Sequence, residues 1–359
     1  MIHKKSKKYY YLRCLSIKRK QSRRRRIRTA HNKKRRFKSN IPVNYNKKIK
    51  YIAKIINKKI SAGTSFSLLY DPINIVRIIN LIEKYKNLST SNLSIEIDLT
   101  RVTKIDSGAI CMLLAKVNEV LVHKKIRIFG TFPDDKDCKK IFIESGASEY
   151  MRDMHGRNFE KRGDNLIIKI GSNKTDNEIV GKTIKKAMKF ITDEEVHFPP
   201  VFSIVQEMCS NSVEHSNDNM PNWMFGVVFE TDSKTKEKWV TFTMTDVGFG
   251  ILKTLNRKFH MQIREQLTLK SDIDVLYSAF QKKYGSKTED INRNKGLPLI
   301  LNRVKKQYVG DMKVITNNVI LHLSNYEHSS VLQKSLPGTF YSWRVDKTNI
   351  ESWKQKTIS

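Results

Sequence analysis

The sequence predicts an α/β protein, on three observations. Short runs alternating apolar and polar residues are interleaved with longer runs whose apolar residues recur three and four apart. Hydrophobic residues make up 39% of the 359, enough to bury a sizeable core rather than leave the chain disordered. The charge is also unevenly placed. Lys and Arg total 68 against 35 Asp and Glu, a net +33. Residues 1–70 hold 24 of those cations and no acid, and the other 289 residues carry only +9. The pattern is a mildly basic body with a very basic front.

Several classes are excluded by composition. The four cysteines (Cys14, Cys111, Cys138, Cys209) form no C-x-x-C pair and have no His at ligand spacing, so reduced thiols are expected rather than disulfides or structural zinc. The longest apolar stretch, 109–122, contains Lys116 and Glu119 and is too short for a bilayer span. The front has no adequate apolar segment for a secretory signal. Its charges come in blocks rather than along one helical face, against an organellar leader. The expected location is cytoplasmic.

In chain order, residues 1–50 read as a basic tail. Cationic runs at 4–8, 18–20, 23–26 and 33–36 repel one another, so the segment is expected to be disordered or partly helical. Tyr9, Tyr10, Tyr11 and Phe37 lie among them. That mixture could neutralise phosphates and stack on bases, or meet an acidic protein or lipid surface, or serve only as a solvated tail.

Residues 51–160 read as a first α/β domain. The stretch 73–86 places Ile75, Ile78, Ile79, Ile82 and Tyr85 at helical spacing, and 93–99 alternates as a strand with one buried face. After a loop at 100–107, the helical pattern returns over 109–122, followed by a short strand at 125–129 and a helix at 136–144. The order of strand, loop, Asp106-Ser107-Gly108 and apolar helix resembles the STAS family, the anti-sigma-factor antagonists. The resemblance implies a candidate phosphoacceptor at Ser107 and a protein partner for this domain. The loop is one residue short of the family's usual D-[ST]-S-G, and a Ser at a helix start also serves as an ordinary N-cap.

Residues 161–350 read as a second domain. The stretch 202–217 is expected to be a helix with Ile204, Val205, Met208 and Cys209 inward. Glu207, Asn211 and His215 fall one turn apart along one side. A strand over 238–245 runs into Asp246-Val247-Gly248-Phe249-Gly250, where the glycines allow close backbone approach and positive φ. Lys295-Gly296-Leu297 opens a further helix, whose free N–H groups can hold phosphate oxygens. Pro337-Gly338-Thr339 leads into a closing strand.

These four motifs in this order resemble the GHKL (Bergerat-fold) ATP-binding domain of gyrase-type ATPases, Hsp90 and MutL proteins, histidine kinases and anti-sigma serine kinases. The resemblance implies ATP and Mg²⁺ as ligands. It gives Asn211 to Mg²⁺, Glu207 as general base and Asp246 as acceptor for the adenine amino group. Gly248 and Gly250 would lie beneath the nucleotide, Gly296 and Leu297 would offer N–H groups to the terminal phosphates, and Thr339 would support the adenine. Residues 281–295 would form a lid, and His215 would wall the site or pack. Asn294 and Lys295 stand where the family often has another Gly, which bears on lid geometry.

Glu207 together with Asn211 matches the ATPases and serine kinases, and no long helix with an exposed His precedes the domain as a histidine kinase requires. Two readings follow. One is an enzyme that hydrolyses ATP or transfers its γ-phosphate to a serine, Ser107 or a partner's. The other is a nucleotide-gated binding module whose basic tail docks on nucleic acid or another acidic partner.

Overall fold

The structure is a computed structural model and describes residues 56–88, 93–123, 126–145, 147, 166–170, 177–215, 223–255, 271–281 and 296–358. The expected basic tail lies outside the described residues, as does the expected lid apart from Gln281. The chain divides into two units, Met1–Lys54 and Ile55–Ser359, and every described residue belongs to the second.

The protein is mixed α/β. Its N-terminal part holds a three-stranded parallel sheet of β1 (Ile56–Ser61), β3 (Leu93–Asp98) and β5 (Arg127–Gly130), with β3 central. A two-stranded parallel pair, β2 (Ser65–Phe66) with β4 (Lys104–Ile105), lies between them in sequence. Three helices accompany these strands: α1 (Pro72–Lys86), α2 (Ser107–His123) and α3 (Lys136–Glu144). Helix α1 begins where Asp71 accepts from the Asn74 N–H at 3.2 Å, has proline in its first turn, and ends on Lys84 and Lys86, a favourable charge order for its dipole.

Strand β3 departs from the expected one-sided alternation, because Ser94 and Asp98 are buried along with the apolar residues. Their polar groups are satisfied within the domain. Ser94 pairs with Asn57 Oδ1 at 3.2 Å, and Asp98 accepts from Thr100, Thr131 and Lys59. Those bonds hold the Asp98 carboxyl well below its ordinary range.

The C-terminal part is a five-stranded antiparallel sheet in the order β6-β7-β8-β10-β9. Its strands are β6 (Leu166–Ile170), β7 (Trp223–Thr231), β8 (Lys238–Asp246), β9 (Gly310–His322) and β10 (Ser330–Asp346). Among the described residues, α4 (Asn177–Thr192), α5 (Pro199–His215), α6 (Asp272–Phe280), α7 (Gly296–Lys305) and α8 (Lys347–Ile358) belong with it, and residues 251–255 are also helical.

Alternation along these strands gives the sheet two apolar faces. Trp223, Phe225, Phe242, Met244, Tyr341 and Trp343 pack with α4, α5, α6 and α7, and Phe225, Phe242 and Trp343 stack in sequence at centroid spacings of 6.0 and 5.6 Å. The intervening residues Met224, Ile315 and Phe340 face the other way, into the core built by α1, α2 and the parallel sheet. Across that junction Cys111 Sγ lies 3.7 Å from Thr243 Oγ1, and the Thr245 hydroxyl donates to Met112 Sδ at 3.5 Å. Asn80 donates to the Ser335 carbonyl at 2.9 Å. The two sequence segments therefore share one core, with α1 and α2 sandwiched between two sheets.

Lys116, an interruption in the apolar stretch 109–122, is only 1% exposed. It pairs with Glu83 of α1 and Glu119 of α2, and Lys86 also reaches Glu119. Burial pushes the Glu83 carboxyl up, but the hydrogen bond and charge of Lys116, with Lys86 behind it, hold it below its usual value. Cys111, Cys138 and Cys209 are buried free thiols. Among the described residues no helix is long and apolar enough to cross a membrane.

Candidate functional site

On the face of the sheet covered by α5 and α7, the end of β8 meets the bulged part of β10. Asp246 is the last residue of β8 and pairs in register with Thr339. Its Oδ1 accepts from the Gly248 N–H at 2.9 Å, and Thr339 donates to the same carboxylate through both backbone and hydroxyl. Burial outweighs these bonds and raises the Asp246 carboxyl to about 6. Gly338 arrives with φ +113°, and a Cβ there would lie 2.0 Å from the Asp246 carbonyl oxygen. Gly250 has φ +81°, and its missing Cβ leaves room for the Asn317 side chain, whose Oδ1 would be 2.6 Å away. Both positions demand glycine.

Helix α5 supplies the second half. It begins at Pro199, earlier than the sequence reading placed it, with proline in the first turn where no N–H partner is needed. Ile204, Val205, Met208 and Cys209 are buried, as their spacing predicts. Glu207 and Asn211 are half-buried and one turn apart on the flank of that apolar stripe. The side chain of His215 lies outside the described residues.

Helix α7 starts at Gly296, and its start touches α5. A Cβ at Gly296 would fall 1.5 Å from Glu207 Oε1 and 2.0 Å from its Cδ. The Glu207 carboxylate thus lies against the first turn of α7, where backbone N–H groups lack helical partners and negative charge is favoured. Leu297, half-buried, packs on the adjoining core. Tyr341 links the two halves. Its phenol is pushed above its ordinary value by burial first, then by the charges of Asp246 and Glu207, which places both carboxylates within electrostatic reach of one side chain.

Ser107 is elsewhere. It is the first residue of α2, and the cap is the residue before it. Asp106 Oδ1 accepts from the Ala109 N–H at 2.7 Å, while Oδ2 accepts from the Leu69 N–H at 2.9 Å and from the Ser67 hydroxyl. The N-cap reading of Ser107 is thereby corrected: a carboxylate with two lone-pair-bearing oxygens serves the helix and the β2–α1 loop at once. The next residue, Gly108, abuts Phe340, whose ring would be 2.7 Å from a Cβ there. Phe340 points away from its neighbours Thr339 and Tyr341, so Ser107 and the Glu207–Asp246 site occupy opposite faces of the five-stranded sheet.

Sequence reasoning missed Thr316, Asn317 and Tyr341. The first two break an otherwise apolar strand pattern with a buried polar pair, a readable anomaly whose partner lies some 65 residues away. Tyr341 reads from the sequence only as an aromatic in a closing strand.

A scan of the chain against protein-family models and a search among curated proteins give no match. The functional reading therefore rests on residues and geometry.

The arrangement offers a strand-end carboxylate as hydrogen-bond acceptor, a buried helix start with the Glu207 carboxylate against it, and a carboxylate and carboxamide one turn apart. Among the described residues no group of three His, Cys, Asp or Glu stands together to hold a metal ion. A divalent cation here would take Asn211 and, for the rest, oxygens of its ligand and water, which suits Mg²⁺.

Proposed function

We propose that the chain binds Mg·ATP at this site, and that residues 161–350 are a GHKL-type nucleotide domain overlaid by a STAS-like layer from residues 51–160. The observation that carries the reading is convergence. Glu207, Asp246, Gly296 and Thr339 come from four separate segments, yet Glu207 touches Gly296, Asp246 bonds Thr339, and Tyr341 feels both carboxylates.

Asp246 accepts a hydrogen bond from the exocyclic amino group of adenine, a donor that guanine lacks at that place. Thr339 holds the carboxylate to the strand. Gly250 and Gly338 let the Asn317 side chain and the Asp246 backbone come close, which sets the loop beside the base, and Gly248 gives its N–H to the Asp246 carboxylate. Gly296 and Leu297 present N–H groups to phosphate oxygens at the start of α7. Asn211 is the protein's oxygen donor to Mg²⁺, which when bound neutralises phosphate charge. Glu207 is the general base, taking the proton of an attacking water or serine hydroxyl. Transfer to Ser107 of the same chain would require α2 to leave the sheet, so hydrolysis, or transfer to a serine on a partner, is the favoured reaction.

The Gly108–Phe340 contact favours a second reading, a nucleotide-gated module with little turnover. Phe340 is covalently next to Thr339, so movement at the nucleotide face is felt by α2 behind it. The basic tail would then supply the partner, nucleic acid or an acidic protein.

The test is incubation of the full-length chain with Mg²⁺ and γ-labelled ATP, following free phosphate and protein-bound label together. Free phosphate abolished by Glu207→Ala supports an ATPase, and label on an added partner supports a serine kinase. Binding without either product supports the gated module, and no binding refutes the assignment.

A further inference from the structure

We propose that Asn317 is a positioning residue of the nucleotide site, fixing loop 246–250 in the form that lets Asp246 select adenine. The proposal rests on the nucleotide reading above.

Asn317 lies in β9, where the ladder with β10 is irregular: Thr316 pairs with Thr339, Asn317 with Leu336, and Pro337 and Gly338 stand between as a bulge. Its backbone is left-handed, φ +52°, although it is not glycine and only 3% of it is exposed. Asn is among the few residues that tolerate this conformation. Non-glycine residues held there in the middle of a strand persist only when the surroundings over-determine them, and they cluster at functional sites.

The side chain explains the backbone. Asn317 Nδ2 donates to the Phe249 carbonyl at 2.8 Å, and Oδ1 accepts from the N–H groups of Leu252 and Lys253 at 3.0 and 3.3 Å. Both ends of the amide are used, so neither a pure acceptor nor an apolar isostere replaces it. Thr316 works alongside: its Oγ1 accepts from the Ile251 N–H at 2.9 Å and donates to the Gly338 carbonyl at 3.2 Å.

Three consecutive N–H groups, 251 to 253, are thus capped by residues of a distant strand. These are first-turn amides of the helical residues 251–255, which have no partner within a helix. Gly250, at φ +81°, passes so close that only the absence of a Cβ lets the Asn317 amide fit. The loop is therefore pinned at one end by the β8 ladder at Asp246 and at the other by Thr316 and Asn317. Between the pins lies Gly248, whose N–H holds the Asp246 carboxylate. Loss of the second pin frees Gly248 and Gly250 to wander and takes the Gly248 N–H from the Asp246 carboxylate, which then loses its orientation.

Two substitutions in the full-length chain separate backbone from side chain. Asn317→Gly keeps the left-handed backbone and removes the amide. Asn317→Asp keeps the acceptor and loses the donor. Hydrogen exchange without ligand reads the latch, and titration with Mg·ATP and Mg·GTP reads the site. For Asn317→Gly, exchange of amides 251–253 should rise about tenfold or more, ATP affinity should fall about tenfold, and the ATP-over-GTP preference should shrink by a similar factor. Asn317→Asp should lie between it and the wild type. If Asn317→Gly does not fold, Thr316→Val, which at nearly constant volume removes the pin bond to Ile251 together with the hydroxyl's bonds to Gly338 and Thr339, is read the same way for exchange at 251–253.

Unchanged exchange at 251–253 overturns the latch. Faster exchange with unchanged affinity and preference makes Asn317 structural only and overturns its role in the site. A wild-type chain that binds neither nucleotide overturns the nucleotide reading itself, and the assignment falls with it.

Discussion

Gly296→Ala is the most discriminating single substitution at the site. The added methyl would lie 1.5 Å from Glu207 Oε1 and 2.0 Å from Cδ, a separation no packed pair can hold. The obstacle is the far end of a flexible side chain rather than backbone, so the relief is rotation of Glu207 away from α7. The stability cost is correspondingly small. Overpacking of about 1–3 kcal/mol is partly offset by the gain of up to about 1 kcal/mol from replacing glycine by alanine in a helix. If Glu207 is the general base, as proposed, the chemical cost is large, because a displaced base forfeits about 10²–10⁴-fold in rate.

The assay is phosphate release under saturating Mg·ATP beside a thermal melt. Gly296→Ala should lose at least about 100-fold in kcat while melting within a few degrees of the wild type. The double variant with Glu207→Ala should be no slower than Glu207→Ala alone, since both act on one group. A Gly296→Ala protein with undiminished kcat would refute the idea that the Glu207–Gly296 contact sets the base. A fully additive double variant would show that the glycine acts elsewhere.

Three further outcomes are expected. On the proposed assignment, Asp246, with its carboxyl raised to about 6, accepts more strongly from adenine when ionised than when protonated, so ATP affinity should fall as pH drops through that value, and Asp246→Asn should abolish the step in a pH series of binding titrations. In the ligand-free chain the sign reverses. The folded state holds the proton more tightly than the unfolded one, so this group's contribution to stability rises as pH falls from above 6 towards its ordinary 3.8, and Asp246→Asn should flatten that slope in denaturant melts. Lys116→Ala would leave Glu83 and Glu119 to share Lys86 alone in the α1–α2 interface and should cost about 1–3 kcal/mol by chemical denaturation. Glu83, held low, stabilises fully above its ordinary 4.5 and loses that contribution as pH falls through its lowered value. Gly338→Ala combines a left-handed backbone with a Cβ 2.0 Å from the Asp246 carbonyl; because the obstacle is backbone, it should lower the melting temperature by more than Gly296→Ala does.

What could be read from sequence divides along physical lines. Helices α1 and α3 were legible because each buries one stripe, so their apolar spacing survives in the sequence, whereas α2, buried throughout 108–116 between the two sheets, was legible by the length of its apolar run. Strand β1 was not: it is an edge strand with outward Lys58 and Lys59 and only Ile60 buried, which leaves little period to detect. Strand β7 was not, because residues 223–227 are all buried, and a run buried on both faces shows no alternation. At the site, Asp246 and Gly296 stand out at a strand end and a helix start, whereas Glu207 and Thr339, in the middle of α5 and β10, stand out through their motif neighbours Asn211 and Gly338. The contact between Glu207 and Gly296 is not local information, and nothing in residues 202–217 points to residue 296. The same holds for Asn317, whose partners are chosen by the bulge opposite it. Ser107 shows the opposite error: a helix start was readable, but whether Asp106 or Ser107 caps it depended on Leu69 and Ser67, which also needed an acceptor.

The two-faced sheet constrains how the halves of the chain can influence one another. Residues 339–341 expose Thr339 and Tyr341 to the candidate site and Phe340 to α2, so this short stretch of β10 is a wall common to both. A tight wall transmits displacement, because packed side chains have few intermediate positions. Gly108 makes it tight, since any larger residue would drive into the Phe340 ring. Regulation between the segments would therefore act through the back of the proposed nucleotide site rather than by delivering Ser107 to its front. A substitution that loosens this wall from the α2 side and leaves the residues facing the candidate site in place, such as Phe340→Leu, should change nucleotide affinity and the exposure of α2 to hydrogen exchange together. If affinity moved and α2 did not, the sheet would be a partition between the two halves and not a coupling between them.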